Sequence, residues 1–470
     1  GPFWAQQNAS YFANTTLARG RQGCERLGQW LGKSMEVHSG EGPSALAAGL
    51  LFFLLLTSLM ILRPVRDTLG LARGIESIRQ LFLVTVAFAL VVTPLFGWLA
   101  SRVPRRWLIA AVFRICALLL LGFGAGIVLM PAGLREWVSC GYYIFHSVFN
   151  LLVVSLFWAS MADHFSLAES KRLFPVIALG GSLGAIVGSL ISWRLVRYGG
   201  IGWLFPPAAL LLEVAVWVSF AFTRTRSLST HSPINGSSLG GSWLAGMKAV
   251  AQSSYVLAIG GFVALNGLIT TFLYFTGLRM VAAASSSPEQ QTILFAHLNL
   301  WTQIATLLAQ AFLAGRIMRV AGVGTALAAT PFLGLCGAAI LALAPTLLLF
   351  TIVNALFRAA QQGITGPAEE TLFTVLNRQE KYKAKSFLDT FGYRSGDAAG
   401  AHLERVLAAF GPGLLPFALS VFGLALVWMS LGVFLGRAQN RLSIPPAPTI
   451  SNNPNSSPVG RPSALPLNQP

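Results

Sequence analysis

Charge is scarce in this chain. Charged residues make up 10% of its 470 residues, whereas ordinary soluble domains carry about 25%. Acidic residues are the scarcer kind, with 16 Asp and Glu against 33 Lys and Arg. A soluble fold would need more polar surface than this composition supplies, so the sequence excludes a water-soluble protein.

Patterns that carry chemistry are also sparse. The four Cys residues have no metal-ligand spacing, so we expect no metal site and no cofactor. There is no Gly-rich P-loop, which argues against an ATP-driven pump. Ser and His are scattered without a nucleophile–base arrangement, and the sequence therefore predicts a protein that is not an enzyme.

Long apolar runs are what the chain has in abundance. It is 54% hydrophobic with a mean hydropathy of +0.65. A helix that crosses a bilayer needs about 20 mostly apolar residues. We predict an all-α polytopic membrane protein with twelve transmembrane helices. The expected spans are 44–62, 80–100, 107–130, 137–161, 173–196, 202–223, 255–280, 292–314, 321–343, 346–366, 386–410 and 413–436.

Polar stretches divide these runs into two groups of six. The expected parts are an N-terminal cytoplasmic segment (1–43), a six-helix half (44–223), a cytoplasmic linker (224–254), a second six-helix half (255–437) and a disordered tail (438–470). Met35, just ahead of the first apolar run, is a candidate initiator.

The Lys and Arg residues in the loops predict how the chain is oriented in the membrane. With the N-terminus inside, the inner loops hold twice as many Lys and Arg as the outer loops, so both termini are expected to be cytoplasmic. The net charge of +17 is thus explained by topology, and we expect no nucleic-acid partner. One outer loop breaks the rule, because Arg63, Arg66, Arg73 and Arg79 all follow the first span.

The two halves carry an internal repeat. Gly180, Gly184 and Gly188 recur 212 residues later as Gly392, Gly396 and Gly400. Each set lies on one helix face, where small residues allow close helix packing. Six spans per half is an even number, so both halves share one orientation. Parallel six-helix halves are the architecture of the major facilitator fold.

A second pair of matching segments contains arginines. Leu99–Arg105 pairs with Leu313–Arg319 at an offset of 214. Each segment follows the second span of its half, where major facilitator proteins carry a motif that reads G-x-x-x-[DN]-[RK]-x-G-[RK]. Residues 97–105 resemble this motif, with Ser101 at its acidic position, and the resemblance implies a gating role. Anchoring on the inner side of the membrane explains the same residues equally well. The candidate gating residues are Arg102, Arg105, Arg316 and Arg319.

Charge concentrates in one segment of the second half, residues 366–400. Arg394 and Asp397 fall inside the predicted eleventh span, where an unpaired charge is costly. They are three residues apart, so a structural ion pair is the competing explanation. Glu369 and Glu370 end the tenth span and could serve as protonatable groups.

Two motifs resemble a known family. Residues 62–70 read LRPVRDTLG, and residues 381–396 read KYKAKSFLDTFGYRSG. Both are similar to motifs of the ATP/ADP antiporter (nucleotide transporter) branch of the major facilitator superfamily. The stretch 149–158 also looks alike. One departure is Arg66, where nucleotide exchangers of this branch carry Lys, and the two side chains are not interchangeable.

The resemblance implies a secondary transporter in a bacterial inner membrane. It would move a small anionic solute, either a nucleotide or another phosphorylated metabolite, by alternating access, and it would work in the lipid bilayer as a monomer. The candidate substrate-binding residues are Arg63, Arg66, Asp67, Asn150, Trp158, Glu369, Glu370, Lys383, Lys385, Asp389, Arg394 and Asp397.

Two other functions remain open from the sequence. A membrane scaffold or sensor would have mutually neutralised charges and no solute-sized cavity. A lipid exporter would have an apolar cavity that opens sideways to the bilayer. Interfacial anchoring explains Arg63 and Arg66 unless the first helix continues past Arg66 into the membrane.

Overall fold

The computed structural model describes residues 42–100, 102–103, 105–165, 167–226, 253–376, 385, 388, 392–408 and 415–442. These residues form a helical bundle. The helices of the first half are α1 (Gly42–Leu71), α2 (Ile75–Ala100), α3 (Arg105–Leu129), α4 (Ala132–His164), α5 (Leu167–Gly199) and α6 (Phe205–Arg226). Those of the second half are α7 (Ser254–Ala284), α8 (Pro288–Phe312), α9 (Ala314–Leu343), α10 (Leu347–Val375), α11 (Tyr393–Ala408) and α12 (Leu415–Leu442).

Within the described residues, eleven helices are long and apolar enough to cross a membrane. The remaining helix, α11, has 16 described residues, which is shorter than a bilayer span. The predicted polytopic all-α class is therefore confirmed. Most of the predicted N-terminal segment, linker and tail lie outside the described residues.

The two halves pack in the same way. In the first half α1 packs against α5 and α6, and α3 packs against α6. In the second half α7 packs against α11 and α12, and α9 packs against α12. The halves meet where α5 contacts α8 and where α2 contacts α11. This equivalence confirms two parallel six-helix halves.

The same close contact between a glycine and a helix backbone occurs in both halves. A Cβ atom on Gly184 of α5 would overlap the carbonyl oxygen of Phe53 on α1. A Cβ on Gly396 of α11 would overlap the carbonyl oxygen of Ala264 on α7. The two contacts are equivalent under the sequence repeat, and each lets two helix backbones touch. The glycine ladder is thus a packing device shared by both halves.

The first helix is longer than its predicted span of 44–62. α1 continues to Leu71 and contains Pro64. It ends in a tight turn in which the Gly74 amide donates to the Leu71 carbonyl at 2.8 Å. Gly74 has φ of 87°, a left-handed conformation that suits glycine. Arg63 and Arg66 therefore lie on a helix inside the bundle.

The tenth helix is interrupted. Its regular part, Leu347–Ala360, continues through a π-helical turn at Gln361–Thr365. Gly363 in this turn packs against Ala309 of α8. π-helical turns are rare and occur often at functional sites, and this one begins three residues after Arg358.

Candidate functional site

A small cavity of about 60 Å³ lies between the halves, at the centre of the bundle. We call it the central cavity. Helices α1, α7, α8 and α10 supply its walls, and many of the side chains are polar. Its lining includes Arg63, Asp67, Tyr274, Asn299, Thr302, Gln303, Asn354, Arg358 and Gln362, with Phe295 and Phe350 among the apolar residues.

Two guanidinium groups in this cavity have no carboxylate within ion-pair distance among the described residues. They belong to Arg63 on α1 and Arg358 on α10, and each is an electrostatic neighbour of the other. Arg358 Nη1 donates to the side-chain oxygen of Gln361 at 3.3 Å. Such charge at membrane depth is costly unless a partner compensates it.

A third arginine is held in place by an acid and two tyrosines. Arg66 Nε donates to Asp67 Oδ1 at 3.0 Å, and Tyr274 OH donates to the same oxygen at 3.0 Å. The Arg66 guanidinium lies over the Tyr143 ring, 5.4 Å from its centroid. Tyr143 and Tyr274 share a hydrogen bond of 3.1 Å that joins the two halves.

The predicted pair in the eleventh span is present. Arg394 Nη1 donates to Asp397 Oδ2 at 3.1 Å, and Thr271 donates to Asp397 Oδ1 at 2.9 Å. Asp397 is buried, with Arg358 of α10 and Tyr143 of α4 as electrostatic neighbours. The pair therefore faces the centre of the bundle.

The charged side chains of this region do not cancel. Four are cationic and two are anionic, which leaves two positive charges in excess. The low dielectric around a membrane-embedded cavity strengthens the attraction of such a charge excess for an anion. The six residues are Arg63, Arg66, Asp67, Arg358, Arg394 and Asp397.

An inter-half ion cluster, which we define as Arg79, Arg279 and Glu404, joins the halves at the end of the bundle where α2 begins, and we call this the closed end. Arg79 on α2 donates Nε to Glu404 Oε2 on α11 at 2.9 Å. Arg279 on α7 donates Nε to the other oxygen, Oε1, at 3.1 Å. Glu404 and Arg79 are both buried. One carboxylate thus ties the two halves together at the end where α2 begins.

Other candidate residues from the sequence lie elsewhere. Trp158 packs in an aromatic cluster with Phe52 and Phe174. Asn150 is half-buried on α4. Lys385 pairs with Glu370, outside the central cavity's lining. Glu369 lies beside Glu370 on α10. Lys383 and Asp389 lie outside the described residues.

The candidate gating arginines are at the opposite end from the inter-half ion cluster. Arg102 and Arg316 are exposed at the starts of α3 and α9. Arg105 begins α3 and Arg319 lies in the first turns of α9. Their equivalent positions follow the sequence repeat, and a gating role for them stays a prediction.

Comparison with known proteins gives relatives that are all carriers. Two are ADP,ATP carrier protein 1 of Chlamydia muridarum, 21% identical over 85% of this chain and 89% of the relative, and ADP,ATP carrier protein 2, chloroplastic, of Arabidopsis thaliana, 23% identical over 77% of this chain and 69% of the relative. The chain is a distant relative of the ADP,ATP carrier proteins. No family model matches it.

Solved structures establish the fold. The nucleoside transporter NupG aligns with a TM-score of 0.54 at 14% identity, covering 85% of this chain and 100% of NupG. The human organic anion transporter MFSD10 aligns with a TM-score of 0.57 at 15% identity, covering 84% and 100%. This chain therefore has the major facilitator fold and is a multi-pass membrane protein.

Sequence reasoning missed several residues of the site. Arg358 is the single charged residue within the predicted tenth span, and a charge in such a position is the sequence signal that could have identified it as a site residue. Arg79 belongs to the outer loop expected after the first span, and Arg279 lies at the end of the predicted seventh span, yet both are part of the inter-half ion cluster. Glu404 lies in the predicted eleventh span, and only tertiary structure shows its partners.

Proposed function

We propose that this protein is a secondary transporter for a phosphorylated anion, with a nucleotide as the substrate class. The observation that carries the proposal is the pair Arg63 and Arg358, whose guanidinium groups line the central cavity without carboxylate partners among the described residues. A bound phosphate chain would supply the missing negative charge through charge-assisted hydrogen bonds.

The remaining lining fits a nucleotide as well. Asn299, Gln303 and Gln362 offer amide donors and acceptors. Phe295, Phe350 and Tyr274 offer aromatic surface on the same walls. The names of the carrier relatives agree with this substrate class. We propose that the chain, like them, transports rather than catalyses a reaction.

Alternating access follows from the inter-half contacts. The halves would rock about the central cavity, as in other major facilitator folds. Breaking the contacts of Glu404 with Arg79 would open the closed end. We propose a bacterial inner membrane as the location, with both termini cytoplasmic. In that orientation the inter-half ion cluster closes the outer side.

The two competing functions fit the cavity less well. A scaffold or sensor predicts neutralised charge, whereas the six charged residues in and around the cavity leave two positive charges in excess. A lipid exporter predicts an apolar lining, whereas the central cavity is lined by two arginines together with amide and hydroxyl side chains. Both alternatives are therefore disfavoured.

Thermal unfolding of the purified protein tests the proposal. A ligand at 100 times its Kd stabilises the folded state by about 2.7 kcal/mol. ATP and ADP at millimolar concentration should raise the unfolding temperature by several degrees, and adenosine should not. No shift with any nucleotide, in protein that elutes as a folded species, would remove the nucleotide as substrate class.

A further inference from the structure

An ion pair lies on the outer, lipid-facing side of the first half. Arg114 Nη2 on α3 donates to Glu213 Oε1 on α6 at 2.9 Å, and Nε donates to Oε2 at 3.1 Å. Their side chains are 45% and 38% exposed. At 1.5 Å per residue, both lie about 12 Å or more from either end of their helices. That places them within the hydrocarbon layer, which is about 30 Å thick.

The pair is set in a groove of about 740 Å³ between α3 and α6. Ala117 and Ala209 contribute small side chains to its surface, and small residues let another helix come close. Leu118 and Leu121 also line the groove and are exposed. The groove therefore combines an apolar surface with polar groups at membrane depth.

The second half has no equivalent charge. At the two repeat offsets of 212 and 214, Arg114 corresponds to Ala326 or Ala328, and Glu213 corresponds to Ala425 or Val427, so neither offset places a charge there. Val427 is exposed on α12, as an ordinary lipid-facing residue would be. The fold therefore does not require a charged pair at this position. Because charge facing hydrocarbon is costly, we expect a cover that supplies polar partners at the same depth.

We propose that the groove binds a second copy of this chain, forming a two-fold dimer through α3 and α6. The surface is self-complementary, because a two-fold axis brings Arg114 of each copy beside the partner's Glu213. A lipid headgroup lies at the interface and does not reach this depth. A second copy brings both charges at the depth required.

Shape complementarity supports the same arrangement. Arg114, Leu118 and Leu121 follow the helical spacing i, i+4, i+7 and form a ridge on α3 along one wall of the groove. In a two-fold dimer the ridge of each copy enters the groove of the other, which is the usual way that helices pack. A dimer departs from the monomer expected from the sequence.

Counting subunits in proteoliposomes tests the dimer. Each chain would carry one C-terminal fluorophore, and the bleaching steps per spot would be counted at high lipid dilution. Wild type should bleach mainly in two steps, and Leu118→Trp, which blocks the ridge, should bleach mainly in one. Leu419→Trp is the matched control, because Leu419 is similarly exposed on α12 of the other half, and it should behave as wild type.

A charge swap tests the ion pair separately. Glu213→Arg should abolish two-step bleaching, because four cations would then face each other. The double variant Arg114→Glu with Glu213→Arg restores complementarity and should restore two-step bleaching. One-step bleaching by folded wild type, or two-step bleaching by Leu118→Trp, would overturn the proposal. Either result would indicate that lipid covers the groove.

Discussion

At the scale of single residues, the central feature is charge without a local partner. Arg66 and Arg394 each have an aspartate nearby in sequence, and the structure shows these pairs formed. Arg63 and Arg358 have no carboxylate partner among the described residues. The first two are neutralised by their aspartates, and we propose that a substrate binds the second two.

Removing one of these cations should weaken substrate binding more than it weakens the fold. A hydrogen bond to a charged group contributes about 1.5 to 3 kcal/mol. Arg358→Gln should therefore lower nucleotide affinity by about 10- to 100-fold with a small effect on unfolding temperature, as measured by calorimetry of the purified protein. Arg73→Gln is the control, since Arg73 is exposed and pairs with Glu136 at the rim. Equal losses in both variants would contradict a site at Arg358.

The buried carboxylate of Glu404 should control the closed end. Removing one partner of a buried ion pair costs about 3 kcal/mol or more. Glu404→Gln should therefore open the end where α2 meets α11. A cysteine placed at the buried Ala401, in a background without native cysteines, should then react with a water-soluble maleimide more than tenfold faster.

Glu136→Gln is the matched control for that experiment. Glu136 pairs with Arg73 at the same end, yet its side chain is 56% exposed, and exposed pairs contribute little. The labelling rate at position 401 should stay unchanged in this variant. A rate unaffected by Glu404→Gln would show that the inter-half ion cluster does not hold the halves closed.

At the scale of helices, the sequence predicted well how many helices there are and that they span the membrane. It predicted less well where each helix begins and ends. Apolar runs of about 20 residues reveal a span because the bilayer requires them. The end of α1 was missed because Arg63 and Arg66 resemble interfacial anchors. Only the packing of α1 inside the bundle shows that the helix continues to Leu71. The apparent excess of outer arginines disappears once α1 and α2 have these bounds.

Helix packing through glycine gives a prediction at the same scale. Gly184→Ala places a Cβ against the backbone of α1, where neither helix can yield. Overpacking of this kind costs about 1 to 3 kcal/mol, so the unfolding temperature in detergent should fall. Gly122→Ala on α3 is the control, because a Cβ there meets nothing within 4 Å. Equal stability of the two variants would contradict close packing of α1 on α5.

At the scale of the whole molecule, the repeat was the most informative pattern in the sequence. It predicted two parallel halves because glycine spacing and span parity are both readable from the chain. The candidate site was only partly predictable. Asp67 and Arg394 could be predicted because they belong to motifs. Arg358 and Glu404 could not, because the residues around them lie on helices distant in sequence. The function of Lys383 and Asp389 stays a prediction.

Counterflow in proteoliposomes tests the central claim most directly, because it needs no assumption about the coupling ion. Vesicles loaded with unlabelled ATP should take up labelled ADP saturably, and adenosine should not compete. Arg63→Gln and Arg358→Gln should each reduce this uptake, while Arg73→Gln should retain it. Uptake no greater than in protein-free vesicles, or uptake unaffected by both cavity variants, would contradict a phosphorylated substrate bound between the halves.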